Sequence, residues 1–451
     1  MKRIISLLLV LITLLPLCAC SSGLTPPETE EAKVQKTTKE KKPKATTEEE
    51  EDEPLPTGEI VYPEGFSVGY DRQDVSPEVF PIQTYTHFNH VGYSNHDPIQ
   101  LTCTAICDGK TAFLMISLDI RGVDTGFVDY STRLIEEAVG IPKEQVFINA
   151  THTHSAPDNS HFGEGNLVYW QKLYYKRLVR AVTLALHDLT PAEAYVGTAH
   201  TEGITFVRRY LMDDGTYMTN PSSSKTLALP VAHETEADTE LRTIRFAREG
   251  KKDVLMVNYQ THYHGTFATQ VSADFIDPLR DKVEEDLDVY FAYHNGASGN
   301  LNFNSHIKGE RKYPTLVKAA RAIGDVVIKA VEGEKKVNVG TLQHEASYYQ
   351  GRGSGGGKIE VRLYAFTIGD IGFVSAPYEM FDTNGQQIRK ASPCKMTFVC
   401  AYTNGHMGYC PSAIAFPHRA YEVEGTPFAK GSGEEFAEEL VRLLKECKAK
   451  G

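Results

Sequence analysis

From Gly65 onward the chain alternates short, largely apolar runs of strand length with longer stretches whose apolar residues recur at helical spacing. Residues 111–120 (TAFLMISLDI) and 145–150 (QVFINA) read as buried strands, with a helix over 124–139 between them. Residues 166–189 follow as a helix that sets Trp170, Tyr174, Leu178, Ala181 and Ala185 on one face. Further strands are expected at 241–246, 253–259, 289–293, 359–368, 371–375 and 395–402, and helices at 277–287, 313–331, 380–390 and 433–448. Ser432 and Glu435 have the spacing of a capping box at the start of the last helix. No internal repeat or second linker interrupts the series, which predicts a single large α/β domain of mixed β-sheets flanked by helices.

Charge narrows the partners. With 59 acidic against 47 basic side chains and a net charge of −12, the chain lacks the electrostatic footprint of a protein that binds phosphate backbones. Nucleic acid is therefore not an expected partner, and nothing points to a protein partner.

The N-terminus reads as an export signal. Lys2 and Arg3 precede an apolar run of roughly 14 residues, shorter than the roughly 20 that a spanning helix needs. The run closes on Leu17-Cys18-Ala19-Cys20, which resembles a bacterial lipobox and implies a signal peptide over 1–20 with lipid attached at Cys20. Residues 21–58, rich in Thr, Pro, Lys and Glu, cannot bury enough apolar surface to offset chain entropy and read as a solvated tether. The expected arrangement is a body, 59–451, held by its lipid on an extracytoplasmic membrane face, at the cell surface or in the periplasm. Its six cysteines, Cys103, Cys107, Cys394, Cys400, Cys410 and Cys447, form no CxxC pair and are too sparse for a disulfide scaffold.

A glycine-rich run, Gly351 to Lys358, fails as a phosphate loop: Arg352 stands where its first glycine belongs, and Ile359 follows the lysine where Ser or Thr is needed. A mobile surface loop is expected there.

Chemistry concentrates where apolar strands end. Asn149-Ala150-Thr151-His152-Thr153-His154-Ser155-Ala156-Pro157 leaves the strand at 145–150. Histidines at i and i+2 of an extended segment project to one side, so they share a metal, or one binds it while the other faces substrate. Asn258 to His264, Ala376 to Glu379, and Thr403 to Tyr409 repeat the geometry. Each brings polar groups to a sheet edge, where α/β folds place their sites.

These motifs resemble the neutral/alkaline non-lysosomal ceramidases, zinc amidases that cleave the N-acyl bond of ceramide. The likeness covers roughly residues 64 to 446. It rests on THTHSAP at 151–157, close to the family's THTHSGP, and on the tyrosine-rich segment from Gly408-Tyr409 to Tyr421-Glu422, whose two tyrosines keep a twelve-residue interval. The resemblance implies a Zn2+ ion held by His152, His262, Glu379 and Tyr409, with His154 facing substrate and handling protons. It implies Arg208 in Val207-Arg208-Arg209-Tyr210 as the substrate-contacting arginine and Tyr421 as the active-site tyrosine. Arg209 is an alternative to Arg208, and His264 replaces His262 if that loop slips by two. Imidazole, carboxylate and phenolate donors with an open position suit hydrolytic zinc. The implied reaction is hydrolysis of a lipid amide by metal-activated water, giving a fatty acid and an amine and placing the chain in sphingolipid metabolism.

Two departures bear on substrate. The family's Gly-Asp-Val-Ser-Pro-Asn stretch corresponds to Gly299-Asn300-Leu301-Asn302-Phe303-Asn304, so Asn302 occupies the serine position and Ser305 lies three residues on. Asn300 and Asn302 are then candidates for substrate binding. The family's C-terminal immunoglobulin-like domain has no counterpart up to Gly451, so the hydrolase class is implied more strongly than ceramide. A zinc hydrolase of another amide or ester, such as a cell-wall fragment, and a surface lipoprotein that binds without chemistry are the alternatives.

Overall fold

The predominantly apolar runs become buried strands. Val146–Ala150, Ala112–Leu118 and Val254–Tyr259 are buried at every position, as strands covered on both faces must be. The computed structural model describes residues 53–451 apart from 86–89, 160–164, 223–224, 264–266 and 268. The expected signal peptide, Cys20, almost all of the expected tether and His264 lie outside the described residues.

A nine-stranded mixed sheet runs in the order Tyr290–Asn295, Val254–Tyr259, Glu240–Arg248, Thr190–His200, Ser67–Asp74, Gln100–Cys107, Ala112–Leu118 and Val146–Ala150, with Lys335–Val337 paired to Thr190–His200 off this path. The outermost pair at each end is parallel and the pairs between are antiparallel. A second mixed sheet holds Leu342–Arg352, Lys358–Ile368, Ile371–Ser375 and Met396–Cys400.

Period-two alternation sorts the side chains of both sheets. Phe113, Met115, Phe147, Ile244, Phe246 and Met256 meet Phe366, Phe373 and Phe398 in one core between the sheets, where the Phe113 and Phe366 rings stack at 3.8 Å. The opposite faces lie under helices: Thr125–Val139, Leu167–His187, Ile276–Leu287 and Leu316–Glu332 on the large sheet, Ser432–Lys450 on the small one. The expected Trp170 to Ala185 stripe is the buried face of its helix. The domain is thus an α/β fold of mixed sheets flanked by helices, with layers in the order helix, sheet, sheet, helix.

Two local expectations need correction. Ser432 and Glu435 form no capping box: the N-cap is Gly431, with φ 89°, while Ser432 Oγ donates to the Arg352 carbonyl and Glu435 pairs with the Arg352 guanidinium at 2.6 Å. Both side chains are drawn to a neighbouring hairpin instead of the helix's own amides. That hairpin contains the glycine run, which is not a free loop. Gly351 and Arg352 are strand residues, Gly353 N donates to Gly357 O at 2.7 Å, and Ser354 N reaches Pro427 O at 2.8 Å.

One edge of the molecule positions the site. Strands Val146–Ala150, Val254–Tyr259, Tyr290–Asn295 and Met396–Cys400 end together there, and buried asparagines join the two sheets beside an isolated backbone bridge between Asn149 and Thr403. Asn149 Nδ2 donates to Ala401 O at 2.6 Å and Asn258 Nδ2 to Val399 O at 3.1 Å. Asn404 Oδ1 accepts from Ile148 N and its Nδ2 donates to Val146 O, both at 2.8 Å. Each carboxamide offers a donor and an acceptor in the geometry of a peptide group, so it satisfies strand ends that no ladder reaches.

Candidate metal centre

The chain turns sharply as it leaves Val146–Ala150. His152 adopts φ 70°, so the HxH segment is a left-handed turn and not the extended stretch its spacing suggested. His152 N donates to Ile120 O and Thr151 N to Leu118 O, fixing the start of that turn to the neighbouring strand. Tyr402, Asn404 and Asp274, with φ 54°, 57° and 54°, lie around it, so four of the six described non-glycine residues with positive φ gather here. Such conformations cost of order 1–3 kcal/mol each and persist where surrounding contacts over-determine them.

The turn brings three imidazoles to one point. Nε2 of His152 lies 3.2 Å from Nε2 of His262 and 3.3 Å from Nε2 of His154, and the last two stand 3.2 Å apart. All three residues are buried, and together they could hold a metal ion. Donors at 2.0–2.1 Å from a tetrahedral ion are separated by about 3.3–3.4 Å, so the triangle fits one without rearrangement. Tautomer supports the fit at His152: its Nδ1 donates to the Arg121 carbonyl at 2.5 Å, leaving the Nε2 lone pair free for a ligand role. Burial pushes the His152 pKa down to about 3, so the ring is neutral at physiological pH.

Glu379 completes the inner ring. Its Oε2 is 3.7 Å from His152 Nε2, buried, and without a hydrogen-bond partner. Burial alone would raise this carboxyl, yet His406, His152 and Arg208 outweigh it and hold the pKa at about 2. An ionised, buried carboxylate oxygen without a donor is costly unless a cation completes it. The backbone here is tightly packed: a Cβ on Gly299 would lie 2.5 Å from the Glu379 carbonyl oxygen.

Behind this ring sits a buried charge network. Arg208 Nε donates to Glu422 Oε1 at 2.8 Å, Nη2 to Gly299 O at 2.9 Å, and Nη1 approaches His262 Nδ1 at 3.3 Å. Arg209 points away, to Glu234 and the second oxygen of Glu422. Of the two arginines, Arg208 is therefore the one that touches the candidate centre. Its guanidinium also lies 5.4 Å from the Tyr409 ring, which meets the Tyr421 ring edge-on at 5.5 Å. Burial and then Glu379 drive the Tyr409 phenol well above its usual range, so it is protonated here. Tyr421 is 50% exposed and marks the solvent side.

The structure thus gathers His152, His154, His262, Glu379, Tyr409, Arg208 and Tyr421. Asn300 and Asn302 lie one step out. Asn300 is buried, with Oδ1 accepting from Asp382 N at 2.8 Å. Asn302 pairs with Phe206 in a short ladder, and its side chain contacts Asn220 and the Asn304 amide. Ser305 donates to Glu310 at 2.5 Å. The six body cysteines are all free thiols.

Three residues of this region had no role assigned from sequence. His406 Nε2 stands 3.5 Å from Glu379 Oε1, and a Cβ on Gly122 would lie 2.7 Å from its ring, so Gly122 makes room for it. Glu422 bridges both arginines, and Asp274 takes hydrogen bonds from the HxH turn. His406 and Glu422 stand inside motifs already singled out; Asp274, in Ser272-Ala273-Asp274, carries no recognisable signal.

No protein-family model and no curated protein matches the chain. Among solved structures, a neutral ceramidase from Pseudomonas aeruginosa is similar, with a TM-score of 0.69 and 14% identity over 86% of this chain and 75% of that one. A ceramidase complexed with C2 is similar to the same degree, with 76% of its chain covered. At this identity the likeness is one of fold: the chain has the architecture of neutral ceramidase.

Proposed function

We propose that the chain is a zinc-dependent amidohydrolase that cleaves the N-acyl bond of ceramide or a related N-acyl lipid. The observation that carries this reading is the convergence of three buried Nε2 atoms, at tetrahedral ligand spacing, on the strand-end edge of a neutral-ceramidase fold. Imidazole and carboxylate donors suit Zn2+. Bound there, zinc would supply Lewis acidity, polarising a carbonyl and bringing the pKa of water to about 7.

The chain's own residues would do the rest. His152, His262 and Glu379 would hold the ion, with Tyr409 beside Glu379 able to join once a cation lowers its pKa, while His154, within ligand reach of the same point, is assigned to the substrate. His154 would give a proton to the departing nitrogen. Tyr421, half exposed and in ring contact with Tyr409, would donate to the developing oxyanion. Arg208, whose donors already serve Glu422, Gly299 and His262, acts chiefly by fixing His262 and Tyr409. The lipobox-like run ending at Cys20 supports an anchored, extracytoplasmic enzyme close to lipid substrates.

The test is release of fatty acid from a panel of N-acyl lipids by the purified protein. Release that a chelator abolishes and zinc restores is expected. A zinc-loaded protein inert toward every N-acyl lipid would overturn the reading.

A further inference from the structure

The HxH turn is held from beneath by one carboxylate. Asp274 is fully buried, and its Oδ2 accepts from Thr153 Oγ1 at 2.6 Å and from His154 N at 3.1 Å, while Oδ1 accepts from Ser155 Oγ at 3.1 Å. Three consecutive residues thus spend a donor on one side chain. One further bond joins the segments, Ser272 N to Ser155 O at 2.8 Å, and Ser272 O lies 2.9 Å from Thr153 Oγ1, whose single proton goes to Asp274.

Asp274 is itself fixed. Its amide donates to Ser272 Oγ at 2.9 Å, Ser272 Oγ donates to Asp97 Oδ2 at 2.5 Å, and Ala273 N donates to Asp97 Oδ1 at 2.6 Å. The turn is therefore gripped on both sides of His152, by the strand Ala112–Leu118 and its extension before it and by Asp274 after it. A strained left-handed residue needs restraint of this kind.

We infer that Asp274 is a positioning residue for the metal centre, setting the His152–His154 turn so that the imidazoles converge before any ion arrives. This rests on the reading of those histidines as a metal site. Groups that orient ligands from outside the coordination sphere typically govern 10–100-fold in metal affinity, about the loss expected for Asp274→Ala. Asp274→Asn keeps an oxygen for Thr153 and His154 and can turn its amide N–H toward the Ser155 hydroxyl, so it should bind within about threefold of the parent.

The experiment measures zinc affinity of the metal-free full chain by competition with a chromophoric chelator, well below the unfolding temperature of each variant. Metal-free unfolding is followed in parallel. A drop of about tenfold or more in Asp274→Ala, rescued in Asp274→Asn, supports the inference. Parent-like affinity in Asp274→Ala overturns it, as does an equal loss in both variants. Should Asp274→Ala not fold, Thr153→Val removes at constant shape the hydroxyl that donates to Asp274 and accepts from Ser155 N, and unchanged affinity there overturns it equally. A parent chain that binds no zinc would defeat the underlying site reading instead.

Discussion

Glu379 and Tyr409 lie opposite each other as Cα partners in a two-residue parallel ladder, with Met380 paired to Cys410 beside them. Paired residues of a ladder project to the same face. Two groups thirty positions apart are thereby delivered side by side to the centre that the histidines form. The pairing sets a carboxylate and a phenol beside one another on paired backbone, where both would reach one ion.

The histidines should separate by role. His152→Ala removes a central donor and should abolish zinc binding and activity together. His154→Ala leaves His152, His262, Glu379 and Tyr409 in place, so zinc should remain while turnover falls about 100-fold or more, the range of a lost general acid. Metal analysis beside single-turnover kinetics checks this; equal zinc loss in both variants would make His154 a full ligand.

Glu422 should matter for stability far more than an exposed carboxylate. It is buried and pairs with Arg208 at 2.8 Å and Arg209 at 3.1 Å. Removing one member of such a group strands buried charge and typically costs about 3–5 kcal/mol, which is the loss expected for Glu422→Ala in denaturant unfolding. A loss below about 1 kcal/mol, the range of a surface pair, would contradict it.

Acid should destabilise the metal-free protein through buried histidines. Neither ring nitrogen of His294 has a hydrogen-bond partner, and burial holds its pKa down to about 3. The folded chain keeps this ring neutral while the unfolded chain protonates it near 6.5. Its contribution is therefore whole above about pH 6.5 and declines as the pH falls toward 3. His152 acts in the same direction, and Glu379 adds a loss below its ordinary range. His294→Leu should thus lose less thermal stability than the parent between pH 7 and about pH 4.5. Parallel stability curves would contradict the assignment.

Much of this was legible in the sequence, for definite reasons. Ala112–Leu118 and Val146–Ala150 announce themselves because both faces are covered, so all but one residue in each is apolar. Ser67–Asp74 and Thr190–His200 carry charged or partly exposed residues and reach full length only through neighbours far along the chain, which no local pattern reveals. At the centre, the histidines stand out because HxH at a strand end is rare chemistry. The turn that makes them converge was hidden, because the φ of 70° at His152 is imposed by Ile120 and neighbouring strands and not by its own residue type. Asp274 was invisible for a similar reason: its role exists only once residues 120 positions apart are packed together.

The most direct test is zinc-edge anomalous diffraction from crystals of the protein grown with zinc. The account predicts one strong peak per chain within about 2.0–2.2 Å of Nε2 of His152 and His262 and of a Glu379 oxygen. A peak elsewhere, or none at this position in crystals that carry zinc on their surface, would contradict it.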